Sequence, residues 1–189
     1  MIRLVPAGVQ WRWKGRDMTS DARMLMGRIR GLLVLLVVGL VLSGLTAFPL
    51  KVEVDILNGL IGRGSSLGKL WPEMGEWISR VHAGISEVHQ KYPFISYGTD
   101  WLAFAHIVIA IAFVGAIRDP VRNIWVVEFG MIACVLVIPF ALIWGGFRGI
   151  PFFWRLIDCS FGVLGILPLW LARRSTRRLI LTEASSAST

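Results

Sequence analysis

Four stretches of the chain, at about residues 31–48, 101–117, 123–144 and 154–172, are apolar for nearly their whole length. A bilayer core of about 30 Å is crossed by roughly 20 helical residues, so each stretch can span it. Hydrocarbon offers no partners to backbone N–H and C=O groups, and a spanning segment must satisfy them within itself, as a helix. The fold class follows: all-α, an integral membrane four-helix bundle. Composition agrees, because 55% of the 189 residues are hydrophobic and only 17% are charged, against about 25% charged in soluble domains.

The net charge of +8 does not point to nucleic acid, because the basic residues crowd beside apolar runs instead of forming a polar face. They read as topology signals. With both termini inside, thirteen of the twenty Lys and Arg residues lie on the cytoplasmic side, in the arm (Arg3, Arg12, Lys14, Arg16, Arg23, Arg28, Arg30), at Arg118 and Arg122, and at Arg173, Arg174, Arg177 and Arg178. That asymmetry favours the N-in, C-in orientation. The first span resembles a secretory leader, but some 30 residues precede it and Leu45 stands where a cut after Ala47 needs a small residue. It is expected to be retained. Cys134 and Cys159 both fall in apolar runs and read as small buried hydrophobes.

Three parts result: a cytoplasmic arm at 1–30, a membrane bundle at 31–172 with a periplasmic segment at 49–99, and a tail at 173–189 that is basic and then disordered. Within the periplasmic segment Met74, Ile78, Val81, Ile85, Val88 and Tyr92 recur every three or four residues after Pro72, predicting an amphipathic helix over 72–91. Glu76 with Arg80 and Glu87 with Lys91 are spaced for i,i+4 pairing on its other face. Trp71 and Trp77 are expected at headgroup level. A shorter helix, VEVDILNGLIG, precedes it, and Gly62, Gly64, Ser65, Ser66 and Gly68 read as a flexible joint.

Ionisable groups inside a span cost about 2.5–3.5 kcal/mol on insertion scales and need a partner, water or a protonation change. Counted at 1.5 Å per residue, His106 lies roughly 9 Å and Asp158 about 7 Å below the outer boundary. Ser43 falls in the same layer. Arg155 is three residues from Asp158, on the same helical face, and close enough to the interface to snorkel. Two readings stand. Either Asp158 is satisfied by Arg155 or a helix-start donor and holds the bundle together, or Ser43, His106, Arg155 and Asp158 form an outward-facing site for an ion, a proton or a lipid headgroup. Glu128, roughly 9 Å above the cytoplasmic boundary, is a separate inner-leaflet carboxylate with Arg30 and Arg173 as its possible partners. Asp100, in "SYGTD", reads as a helix-start acid.

No metal site and no cofactor are expected. His82 and His89 are two turns apart on one helix, about 10 Å, too far to share a metal, and only His106 lies in a span, which leaves a bis-histidine haem without its second ligand. Walker, G-x-S-x-G, H-E-x-x-H and CxxC signatures do not occur. Pro139 and Pro168 are expected to kink their spans. Gly39 with Ser43, Ala112 with Ala116 and Ala141 with Gly145 are small-xxx-small spacings that suit close helix packing.

The run from YPFISYGTDWLAFAHIVIA through AIRDPVRNIWVVEFGM to GIPFFWRLIDCSFGVLGILPLWL, about residues 92–171, resembles an uncharacterised family of small bacterial four-span inner-membrane proteins. That resemblance implies a bacterial inner membrane as the protein's home and lends no activity or functional residue. Two function classes follow: a non-catalytic scaffold, partner or lipid-binding subunit whose partners are membrane lipids, other membrane subunits or itself, or a small membrane enzyme or ion- or proton-coupled carrier.

Overall fold

The computed structural model describes residues 20–186. Of the arm at 1–30, therefore, Arg3, Arg12, Lys14 and Arg16 lie outside the described residues. Among the described residues seven α-helices follow in order: α1 (Ser20–Ala47), α2 (Leu50–Ile61), α3 (Ser66–Leu70), α4 (Pro72–Lys91), α5 (Tyr97–Arg118), α6 (Ile124–Phe147) and α7 (Phe152–Ser186), with a 3-10 turn, Pro93–Ser96, before α5. Among the described residues there is no strand. The protein is an all-α bundle, and four of its helices (α1, α5 with its preceding turn, α6 and α7) are long and apolar enough to cross a membrane.

The spanning helices pack in the order α5, α1, α7, α6: α1 lies on both α5 and α7, α7 lies on α6, and α5 meets α6 far less. The continuous core is at the end that carries both described termini. On α1, Ala22, Met26, Ile29 and Leu33 recur at helical spacing and are buried against Phe113 and Ala116 of α5, Val126 and Val127 of α6, and Leu169, Ala172 and Leu179 of α7. Outward, Val34, Leu35 and Val38 of α1 and Ile132, Leu136 and Ile143 of α6 are exposed, an apolar belt of the kind that meets a membrane or a partner. Lipid tails give helices no hydrophobic reason to associate, so close packing must hold the bundle. At Gly44 a Cβ would come within 2.9 Å of the Ala103 carbonyl oxygen of α5, and at Gly162 within 2.4 Å of that of Cys134 on α6.

The expected small-residue pairs fare unevenly. Ala141 and Gly145 are both buried and Ala116 is buried without Ala112, but Gly39 has open space beside it and Ser43 is exposed. Gly44, one residue further round the helix, makes the close approach instead. Helices α6 and α7 continue through Pro139 and Pro168. At 35 residues, or about 52 Å, α7 outlasts the bilayer core. It is helical to Ser186 where the sequence suggests disorder after the basic run, because Leu179 is buried and Ile180 packs on the core, and the Thr182 and Ser185 hydroxyls donate to carbonyls of their own helix.

Between the first two spans, α2 and α4 pair as a helical hairpin closed by α3. The limits of α4 match the predicted 72–91. The glycine-serine stretch is no loose joint: Ser65 caps α3 by accepting from the Gly68 N–H at 2.9 Å, and a Cβ on Gly68 would collide with the Gly62 carbonyl oxygen at 2.1 Å. Glu76 pairs with Arg63 instead of Arg80, while Glu87 and Lys91 meet as expected at 2.8 Å. His82, a surface residue by its spacing, joins α4 to α2 through Asp55, Nε2 to Oδ1 at 2.8 Å, with Lys51 on the same carboxylate. The Ser79 hydroxyl donates to Oδ1 of Asn58 at 3.0 Å.

The Lys51 ammonium, and after it His82, holds the Asp55 carboxyl below its ordinary value near 3.8. A depressed folded-state value means that the ionised form favours the fold, so this contribution is present above about pH 4 and lost as acid protonates the group below it. Hydrogen exchange should therefore find α2 amides protected equally at pH 5 and pH 6 and less protected at pH 3. Asp55→Asn should remove that difference; protection that stays level to pH 3 in the unmodified protein contradicts the assignment.

Candidate functional site

The polar groups at the end of the bundle remote from both described termini are set by the turn that joins α6 to α7. Gly149 adopts φ +69°, the left-handed conformation that glycine takes without a Cβ penalty. The Ile150 N–H then reaches back to the Gly145 carbonyl at 2.9 Å and the Gly149 N–H to that of Gly146 at 3.1 Å, the two bonds of a Schellman helix end. Pro151 follows and α7 begins, its Trp154 and Arg155 amides bonding to the Pro151 carbonyl, each at 3.1 Å. This tight reversal lays the first turns of α7 along the last turns of α6.

Arg155 uses that proximity. Its side chain crosses to α6 over Gly145, where a Cβ would lie 2.7 Å from both Cγ and Cδ. Nη1 donates to the Leu142 carbonyl at 3.1 Å, and the guanidinium lies 5.4 Å from the Phe152 ring centroid. Nε is buried without a hydrogen bond. The expected snorkelling and the expected pairing with Asp158 are therefore replaced by a reach toward the carbonyl-rich, partially negative end of α6. Among the described residues no ion pair joins Arg155 to Asp158.

Asp158 is half-buried and faces a cleft of about 420 Å³ whose walls include Val137, Phe140, Trp144 and Ile150, with Arg148 also at its edge. Among the described residues nothing hydrogen-bonds the Asp158 carboxylate. Two residues on, the Ser160 hydroxyl is occupied by the Ile157 carbonyl at 2.6 Å.

The other two members of the expected quartet lie on the other helix pair. His106, on α5, packs its Cβ beside Gly44 of α1, and its Nδ1 is 2.8 Å from the Leu102 carbonyl of its own helix. Ser43 is exposed on α1. The structure thus brings Arg155 and Asp158 to the α6–α7 hairpin, and His106 with Ser43 to the α1–α5 pair. At the far end Glu128 accepts from Nε of Arg173 at 2.8 Å, one of its two expected partners; Arg30 donates instead to the Ile117 carbonyl at 3.2 Å. Asp100 stands in the first turn of α5.

Arg148, Trp144 and Phe140 were not singled out from the sequence. The signal that could have found them is WGGFRGIP: paired glycines ahead of an arginine and a Gly-x-Pro reversal mark a place where a long side chain can lie across a helix end. Above the reversal, α4 sits over the start of α7, with the Trp71 ring centroid 5.3 Å from that of Phe153 and the Trp77 centroid 6.3 Å from that of Trp154.

No family model, no curated protein and no solved structure matches the chain.

Proposed function

We propose that this membrane protein acts without catalysis, as a lipid-binding subunit of the bacterial inner membrane with both termini cytoplasmic, and that the α6–α7 cleft receives an amphiphile with a cationic group in its head. One observation carries the reading: among the described residues the Asp158 carboxylate has no hydrogen bond or ion pair, in a cleft walled mostly by apolar side chains with Arg148 at its edge. A carboxylate in apolar surroundings is costly unless a cation or donor meets it. The amine of a zwitterionic phospholipid supplies one, the exposed Arg148 guanidinium suits the neighbouring phosphate, and Val137 and Phe140 offer an apolar wall to an acyl chain. Orientation rests on the arginines gathered at the end with both termini, and the amphipathic α2–α4 hairpin would then lie on the periplasmic surface.

Native mass spectrometry from mixed micelles tests this. Phosphatidylethanolamine should be retained about tenfold over phosphatidylglycerol, since a hydrogen bond to a charged group contributes about 1.5–3 kcal/mol and 1.4 kcal/mol is a factor of ten. Asp158→Asn should erase the preference while helicity is unchanged. Equal retention of both lipids by the unmodified protein sinks the reading. A carrier or enzyme built on Ser43, His106, Arg155 and Asp158 together is not favoured, because those residues are divided between two helix pairs.

A further inference from the structure

The end of the bundle opposite that cleft gathers arginines, and their partners divide them into two kinds. Arg173 is held by Glu128 and Arg30 by a backbone carbonyl. Arg28 of α1 and Arg174 and Arg178 of α7 have no carboxylate partner among the described residues, yet all three line one small cleft of about 100 Å³, together with Leu171 and Ser175. All three arginines are exposed, and where their side chains border so small a cleft an anion between them would offset the mutual repulsion of the guanidiniums. At about 30 Å³ per water the cleft has room for one tetrahedral oxyanion.

Ser175 supplies the second observation. Its residue is 3% exposed, and among the described residues its hydroxyl makes no hydrogen bond. Its neighbours on α7 behave otherwise: the Thr176 hydroxyl donates to the Ala172 carbonyl at 2.9 Å, and those of Ser160, Thr182 and Ser185 likewise bond back into the helix. A serine in a helix ordinarily takes that local bond. Ser175 forgoes it and lines the basic cleft instead. Arg174 is further held by its stack on Trp170, 5.5 Å from the ring centroid, at the level where aromatic side chains mark a membrane boundary.

We infer that this cleft is a phosphate-binding site, in which Arg28, Arg174 and Arg178 neutralise a phosphate group and the Ser175 hydroxyl donates to one of its oxygens. Basic clefts between spanning helices near a membrane surface suit phosphorylated headgroups, and an anionic phospholipid or free phosphate presents the same oxyanion.

The test places the full chain in phosphatidylcholine nanodiscs, with or without added phosphatidic acid, and reads lipid retention by native mass spectrometry and the ³¹P linewidth of inorganic phosphate by NMR. Phosphatidic acid should be retained about tenfold over phosphatidylcholine. The triple variant Arg28→Gln, Arg174→Gln, Arg178→Gln should lose that preference, and Ser175→Ala should weaken it about threefold to tenfold. A control of equal charge, Arg23→Gln, Arg118→Gln, Arg177→Gln, alters exposed arginines at the same end and should keep it. Retention without broadening of inorganic phosphate assigns the lipid headgroup, and broadening that the cleft variant abolishes assigns the free ion; either supports the site. Equal loss in the cleft and control variants, an unchanged Ser175→Ala, or no binding in either arm overturns it.

Discussion

Gly162→Val should separate α6 from α7 and cost about 3 kcal/mol. The Cβ position at Gly162 lies 2.4 Å from the Cys134 carbonyl oxygen and 3.5 Å from Cγ1 of Ile138, and the first of these is backbone, which has no rotamer to yield. Overpacking a close contact costs about 1–3 kcal/mol, and valine adds two methyl groups beyond the Cβ. Leaving glycine behind in a helix returns at most about 1 kcal/mol of propensity, so the clash wins. The effect should be large in a membrane, where close packing takes the place of hydrophobic attraction. Gly39→Val is the control: with nothing within 4 Å of its Cβ position, it should stay within about 0.5 kcal/mol of the unmodified protein. Reversible unfolding in mixed micelles compares the two. Equal loss from both variants would show that the α6–α7 contact is not held by close approach.

Arg173→Ala should destabilise the protein by about 2–3 kcal/mol at neutral pH. Its Nε is 2.8 Å from Oε1 of Glu128, and the two side chains are 29% and 36% exposed. Removing one member of a buried pair costs about 3–5 kcal/mol, because it strands the other charge; partial exposure near the end of the bundle lowers that figure. The penalty belongs to the stranded carboxylate and not to a lost attraction, so Arg173→Leu combined with Glu128→Leu should recover most of the stability. The same unfolding assay checks it, and a double variant no better than Arg173→Ala contradicts the account.

The four apolar spans, the limits of α4 and the Glu87–Lys91 pair follow from patterns within about 20 residues, and the structure has a helix over each span, although α1 begins already at Ser20 and α7 continues to Ser186. Glu128 was assigned two possible partners, and choosing Arg173 over Arg30 required knowing how α6 faces α7. Arg155 shows why adjacency on a helix does not decide pairing. Asp158 is its neighbour at i+3, but the Gly149 reversal brings the carbonyl end of α6 closer to hand, and Gly145 and Gly146 leave the side chain room to lie there. The Ser175 cleft needed α1 and α7 side by side before Arg28 could join Arg174 and Arg178.

The amino-acid sequence by itself determined that the chain is helical and which four segments are long and apolar enough to span, because hydrocarbon requires every backbone group to be satisfied locally and about 30 Å of it sets the length. The tertiary structure alone decided which polar groups meet. That choice rests on the order α5, α1, α7, α6 and on contacts such as Gly44 against Ala103 and Gly162 against Cys134, where the helix surfaces fit at backbone range; a property of two surfaces together is not written in the periodicity of either one.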